Sequence, residues 1–89
     1  MASRSPDEIR YIREVGERLR LYREDRVNKA VSEIARELMI TRQSIYQYEA
    51  GDHSPPINFL RRFCAMYGSD LMWLMTGETS MQMAKRVLK

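Results

Sequence analysis

Apolar residues recur at steps of three and four along most of the chain, which is the spacing of one face of an α-helix. The first stripe predicts a helix from Pro6 to about Glu24, with Ser5 as its N-cap and Glu8 placed to complete a capping box. Its apolar positions are Ile9, Ile12, Val15, Leu19 and Tyr22. Gly16 lowers the helix propensity of this segment, but its missing side chain would let a second helix approach closely.

Two short helices joined by a tight turn are predicted over residues 31–51. The apolar positions of the first helix are Val31, Ile34, Ala35 and Leu38. Neither Asn28 nor Ala30 offers this helix a strong cap. The second helix follows Thr41, whose hydroxyl can cap the free amides of a helix start, and it ends at Gly51, where a left-handed conformation carries little strain.

The rest of the chain predicts a fourth helix, a short fifth helix and a tail. The fourth helix has its apolar positions at Phe59, Leu60, Phe63, Cys64 and Tyr67 and ends at Gly68. Ser69 and Asp70 cap a fifth helix over 71–76. Residues 78–89 could continue as a frayed helix, and no alternating run predicts a strand. The expected fold class is therefore all-α, a compact five-helix bundle with a possible extra C-terminal helix.

Composition narrows the function classes. The chain has 89 residues, a formal net charge of +3, one cysteine and one histidine. These counts give little support for a disulfide, a metal centre, a cofactor or an enzyme active site. No apolar run approaches the length needed to cross a bilayer, and residues 1–14 do not resemble a signal peptide, so we expect a cytoplasmic protein. The mild basic charge suits a polyanionic partner.

The helix that follows Thr41 carries the clearest functional signal. Only Ile45 and Tyr48 lie on its core-facing stripe. The opposite face shows the polar residues Arg42, Gln43, Ser44, Tyr46 and Gln47. Such a face suits base edges in a DNA major groove, where Gln pairs with adenine and Arg with guanine. For Tyr46 two contacts remain as alternatives: it lies along a sugar-phosphate strand, or it touches a thymine methyl group.

Four ordered blocks of the sequence resemble the Cro/C1-type helix-turn-helix family, which includes the DNA-binding domains of lambdoid phage repressors. These blocks are GERLRLYRE at 16–24, IARELMITRQSIYQYEAG at 34–51, PPINFLRRFCAMYG at 55–68 and SDLMWLMTGE at 69–78. The resemblance implies a lambda-repressor-like domain over residues 1–78, with its helix-turn-helix at about 31–50. It also implies a transcriptional regulator, a phage-type repressor or Cro-like protein, that binds a two-fold double-stranded DNA operator as a dimer.

The same resemblance assigns roles by position. Arg42, Gln43 and Gln47 match the positions that contact base edges, with Ser44 and Tyr46 beside them. Thr41 matches a residue that touches a phosphate at the helix start. Arg23 and Glu49 match an ion pair that ties the first helix to the end of the recognition helix.

One position departs from the family pattern. Many members place Gln at the start of the second helix, where it contacts phosphate and braces the first recognition residue, but this chain has Val31 there. The contact is then lost or supplied by Lys29 or Ser32. His53 follows the recognition helix in a loop. Two roles remain as alternatives for it: a solvated loop residue or a phosphate contact.

The C-terminal segment is unusually rich in methionine, with Met72, Met75, Met81 and Met83 near the chain end. Residues 79–89 form a possible dimerisation segment, and the expected dimer-interface residues are Leu71, Trp73, Met75 and Met81. The simplest partner is a second copy, and a toxin or an anti-repressor is the alternative. Other functions left open are a DNA-binding antitoxin, a restriction-modification controller protein and a protein-interaction module that does not bind DNA.

Overall fold

The computed structural model describes residues 3–88. Its elements in chain order are α1 (Pro6–Arg26), α2 (Val31–Leu38), α3 (Arg42–Ala50), α4 (Ile57–Tyr67), α5 (Leu71–Thr76) and α6 (Ser80–Val87). No strand occurs in this part of the chain, so the all-α prediction is confirmed. Residues 1 and 2, at the start of the predicted domain 1–78, and residue 89, at the end of the predicted segment 79–89, lie outside the described residues.

The ends of α1 differ slightly from the prediction. The Ser5 hydroxyl accepts a hydrogen bond from the Glu8 N–H at 3.2 Å, as an N-cap does. The Glu8 carboxylate does not complete the predicted capping box, because it accepts from the Ser5 hydroxyl at 3.5 Å instead of from the Ser5 N–H. The helix continues to Arg26, which shortens the polar connection to α2.

The apolar core is formed by side chains of α1 to α5 and of the α1–α2 connection, with α1 in contact with α3 and α5, and α2 in contact with α3 and α4. Its buried members are Val15, Leu19, Val27, Ile34, Ala35, Leu38, Ile45, Phe59, Leu60, Phe63 and Leu74. Ile9 is 40% exposed, so its predicted place on the buried stripe is wrong. The first turn of α1 is exposed throughout, because α3 and α5 pack only farther along this helix.

The turn between α2 and α3 contains the one non-glycine residue with positive φ among residues 3–88. Met39 has φ 58° and ψ 43°, and its side chain is 82% exposed. Its N–H and that of Ile40 donate to the last carbonyls of α2, at 3.2 Å to Arg36 O and 3.0 Å to Ala35 O. This left-handed residue ends α2 and redirects the chain into α3.

The sixth segment is the extra C-terminal helix that the sequence allowed, and it is a capped helix instead of a frayed continuation. Thr79 and Gln82 form a reciprocal capping box at its start. The Asp70 carboxylate accepts hydrogen bonds from the Ser80 N–H and the Ser80 hydroxyl, both at 2.9 Å. Since α6 packs against α5 alone, this carboxylate supplies much of the polar attachment of α6.

Candidate nucleic-acid interface

Helix α3 is stabilised at both ends by short-range hydrogen bonds. At its start, the Thr41 hydroxyl accepts from the Ser44 N–H at 3.0 Å. At its end, Gly51 adopts a left-handed conformation with φ 79°, and Gln47 O accepts from the Asp52 N–H at 3.0 Å. The amides of Arg42 and Gln43 precede the first intrahelical bonds, so the start of α3 is a positive end of the helix dipole.

The outward face of α3 presents most of the residues predicted to contact bases. Arg42, Gln43 and Tyr46 are exposed, and Gln47 is half-buried. These four side chains share one shallow surface depression with Thr41, Ala50 and Asp52. The arrangement places a guanidinium, two carboxamides and a phenol side by side, which are the groups that read donor and acceptor patterns in the major groove.

Ser44 occupies a different environment from its predicted neighbours. It is half-buried, and its hydroxyl accepts a hydrogen bond from the Thr41 hydroxyl at 2.9 Å. Both side chains therefore belong to the cap of α3 in the structure. A base contact by Ser44 or a phosphate contact by Thr41 would have to use the hydrogen-bonding capacity that remains outside this cap.

Three contacts hold α3 in place from its inner side. Ile45 is buried in the core, and the Tyr48 ring packs against Phe59 with centroids 4.9 Å apart. On α1, a Cβ added to Gly16 would lie 2.2 Å from the Tyr48 carbonyl oxygen. The absence of a side chain at Gly16 thus allows the close approach of α1 and α3 that the sequence suggested.

Arg23 and Glu49 form a bidentate ion pair between α1 and α3. The Nε and Nη2 atoms of Arg23 donate to the Glu49 carboxylate at 2.6 and 2.9 Å. The side chains are only 16% and 7% exposed. The hydrogen bonds to Glu49 raise the pKa of Arg23 further above its ordinary value, against the opposing effect of burial. The pair therefore ties α1 to the end of α3.

Arg42 has no ion-pair partner among residues 3–88. The same holds, over the same residues, for Arg36, Arg61 and Arg62, which are all exposed. The sequence analysis did not single out these three arginines, because position in a helix does not show which charges remain unpaired after folding. Free guanidinium groups of this kind are suited to phosphate oxygens.

The residues predicted to contact phosphate lie in unlike surroundings. Lys29 is paired with Glu37, its Nζ 2.6 Å from Oε2, so it is not a free cation in the structure. Ser32 lies exposed in the first turn of α2, and His53 lies exposed in the loop after α3. Val31 packs against the core, and its side chain has no polar group that could replace the glutamine of the family pattern.

The four residues expected at a dimer interface divide into two groups. Leu71, Trp73 and Met75 are half-buried and pack against the core of their own chain. Most of their apolar surface is therefore already covered. Met81 lies on α6 and is 68% exposed. Only Met81 keeps the accessible surface that the dimer prediction requires of all four.

Two features of the described residues bear on other function classes. No group of three or more His, Cys, Asp and Glu side chains in this part of the chain is arranged to hold a metal ion. No helix of residues 3–88 combines the length and the apolar character that crossing a membrane requires.

Two consecutive short helices, with the second presenting polar side chains on one face, define a helix-turn-helix fold, which is a DNA-binding architecture. A family model described as a helix-turn-helix domain matches residues 14–72, from the middle of α1 into α5. The chain belongs to this family. Comparisons with curated proteins and with solved structures gave no match.

Proposed function

We propose that this protein is a sequence-specific transcriptional regulator of the Cro/C1 type, a phage- or prophage-type repressor that acts in the cytoplasm without catalysing a reaction. The observation that carries the proposal is the outward face of α3, where Arg42, Gln43, Tyr46 and Gln47 lie together in one surface depression. These side chains suit base edges, and the buried contacts of α1 and α4 hold the helix behind them in a fixed orientation.

The regulator acts as a homodimer on a two-fold operator in this proposal. Dimers of helix-turn-helix proteins place two recognition helices in successive major grooves, which matches protein symmetry to operator symmetry. Exposed apolar side chains of α6 favour self-association through this helix, since Met81, Val87 and Leu88 are all more than half exposed.

The test is a genomic selection for bound DNA with the wild type and with Gln43→Ala/Gln47→Ala. We expect an inverted repeat to be enriched by the wild type alone. Arg42→Ala and Lys85→Ala form a matched pair, because each removes one exposed positive charge but Lys85 lies on α6, away from α3. Within this matched pair, loss of sequence preference is expected for Arg42→Ala and not for Lys85→Ala. Equal enrichment by all four proteins would show that the α3 face does not read bases.

A second candidate function is that of a DNA-binding antitoxin, which would bind its own promoter and a protein partner. The exposed apolar residues of α6 favour this candidate as well, because they suit a foreign protein as readily as a second copy. Sedimentation of the purified chain separates the two. A chain that dimerises, either in solution or on operator DNA, supports the repressor, whereas a monomer that remains single on operator DNA favours the partner-binding alternative.

A further inference from the structure

Three polar side chains form a cluster between the α1–α2 connection and the C-terminal end of α4. Glu37, near the end of α2, accepts a hydrogen bond from Lys29 Nζ at 2.6 Å through Oε2. Its other oxygen, Oε1, accepts from the Tyr67 hydroxyl at 2.6 Å. Lys29 Nζ also lies 5.9 Å from the centroid of the Tyr67 ring. We refer to these three residues as the Lys29–Glu37–Tyr67 cluster.

The Glu37 carboxylate offers Lys29 the same kind of hydrogen-bond acceptor as a phosphate group does. Hydrogen bonds from Lys29, and then from Tyr67, lower the pKa of Glu37, so it is ionised at neutral pH. An ionised carboxylate and a phosphate both present negatively charged acceptor oxygens to an ammonium group. Lys29 therefore already holds, within its own chain, the kind of contact that DNA would supply.

The docking geometry of helix-turn-helix proteins would bring a DNA backbone close to Lys29. It immediately precedes the N-cap of α2, Ala30, which forms no side-chain capping bond. In helix-turn-helix complexes the first helix of the motif crosses the DNA backbone while the second enters the major groove. The free amides at the start of α2 and the ammonium group of Lys29 would thus approach the same strand.

The pair can exchange partners because it is only partly buried. The side chains of Lys29 and Glu37 are 41% and 29% exposed, and ion pairs at such positions are weak in water. Of the neighbouring charges, Arg36 also attracts the Glu37 carboxylate, while Glu33 lies near the Tyr67 hydroxyl. Arg36 carries the same charge as Lys29, and among residues 3–88 Lys29 forms its ion pair with Glu37 and not with Glu33.

We infer that Glu37 competes with DNA phosphate for Lys29, so that Lys29 must leave Glu37 when the protein binds its operator. Glu37 thereby lowers the affinity for DNA, and Tyr67 supports it by fixing the carboxylate. The inference rests on the proposed function, because it assigns a positioning and affinity-limiting role beside the same recognition helix.

The test is a double-mutant cycle on operator affinity, measured with the sequence that the wild type selects. Glu37→Gln should tighten binding by up to about fivefold at low salt, since it removes a competing ion pair. In a Lys29→Met background the same substitution should change affinity less than about twofold. Lys29→Met should also reduce the salt slope by about 1 when Gln occupies position 37, because one phosphate contact is lost.

Two further variants separate competition from simple charge repulsion. Glu33→Gln removes an exposed negative charge one turn earlier on α2 and should show no coupling to Lys29. Tyr67→Phe keeps the ring and removes the hydroxyl donor, and it should tighten binding in the same direction as Glu37→Gln. Thermal unfolding of each variant establishes that it is folded.

The outcomes are distinguishable. If Glu37→Gln tightens binding equally with and without Lys29, or does not tighten it, the competition is refuted while the proposed function stands. If the wild type selects no DNA sequence, the proposed function fails and this inference fails with it.

Discussion

At the scale of single residues, Arg23 and Glu49 connect stability to the placement of the recognition helix. We expect Glu49→Gln to lower the free energy of unfolding by about 3 kcal/mol, because it leaves a nearly buried guanidinium without its counter-charge. Urea unfolding measures the change. The exposed pair Arg20–Glu24 provides the control, since its carboxylate lies at a similar distance, 2.8 Å, but in contact with water. Glu24→Gln should cost less than about 1 kcal/mol. Similar costs for both variants would contradict a special role for the buried pair.

Met39 gives the second prediction at this scale. A non-glycine residue pays a steric cost in the left-handed region, and the exposed Met39 side chain recovers little of it through packing. Met39→Gly should therefore stabilise the domain by up to about 1 kcal/mol, as measured by thermal unfolding.

Met66 offers the matched control for this substitution. It is half exposed within α4, where φ is ordinary, so Met66→Gly should destabilise by about 1 kcal/mol. Destabilisation by both substitutions would show that the turn conformation carries no strain at Met39.

Sequence reasoning at this scale succeeded where a contact repeats a family pattern and failed where it depends on tertiary placement. The Arg23–Glu49 ion pair was predicted because these two positions match the pattern of the helix-turn-helix family. The pairing of Lys29 with Glu37 did not, because Tyr67, from α4, has to lie beside them before the cluster exists. Ile9 fitted the helical period, yet periodicity cannot show where the packed part of a helix begins.

At the scale of elements, the contact of α1 with α3 depends on Gly16. Replacing Gly by Ala in a helix normally stabilises it by about 1 kcal/mol. Here the added Cβ would meet backbone atoms, Tyr48 O at 2.2 Å and Glu49 O at 2.8 Å, which cannot turn aside as a flexible side chain can. We expect Gly16→Ala to destabilise by about 3 kcal/mol, the upper end of typical overpacking costs. Urea unfolding decides the sign.

Since the obstructing atoms belong to α3, Gly16→Ala should also weaken DNA binding through displacement of the recognition helix. Glu17→Ala, at the exposed neighbouring position of α1, serves as its control and should leave both stability and binding close to wild type. A Gly16→Ala protein as stable as the wild type would contradict the close approach of α1 and α3.

The attachment of α6 provides a prediction of pH dependence. Hydrogen bonds from the Ser80 N–H and hydroxyl, and from the first amides of α5, lower the pKa of Asp70. Because the folded pKa lies below the unfolded value of about 3.9, this contribution is fully present above about pH 4 and is lost as the pH falls through the folded pKa. Helix α6 should detach in that acid range while α1 to α4 remain folded.

The amide resonance of Ser80, followed by NMR from pH 6 to pH 2.5, measures this detachment. In Asp70→Asn the shift of Ser80 should no longer titrate. Asp7→Asn is the control, because Asp7 is exposed in the first turn of α1 and pairs only with Arg10. Its removal should leave the titration of Ser80 unchanged. Persistence of that titration in Asp70→Asn would assign it to another group.

The elements themselves were largely predictable because their boundaries are chemically marked. Thr41 and Asp70 cap helices, and Gly51, Gly68 and Gly77 end them in left-handed conformations. The sequence analysis allowed an extra C-terminal helix but expected it to be frayed, whereas α6 is capped and attached. Its capping box of Thr79 and Gln82 can be read from the sequence, but its attachment depends on Asp70 reaching Ser80, a contact that no local pattern encodes.

At the scale of the whole molecule, little of the surface predicted for self-association remains accessible. Leu71, Trp73 and Met75 already pack against their own core. In the homodimer proposed above, exposed apolar surface on α6 supplies much of the contact, and a helix of 8 residues supplies little area. For the proposed homodimer we therefore expect weak association in solution that becomes stable on an operator, because two half-sites on one DNA raise the effective concentration of the second subunit.

Operator geometry tests that arrangement. Half-sites one helical turn apart, about 10 bp, place both recognition helices on the same side of the DNA. Inserting about 5 bp between the half-sites rotates one site to the opposite side, so the subunits can no longer touch, and cooperative binding should disappear. Inserting a full turn restores the orientation but lengthens the gap beyond what a direct α6 contact can bridge. Quantitative gel-shift titrations of the three operators, with Met81→Ser alongside the wild type, measure the effect. If spacing leaves cooperativity unchanged, the subunits bind independently and α6 serves another partner.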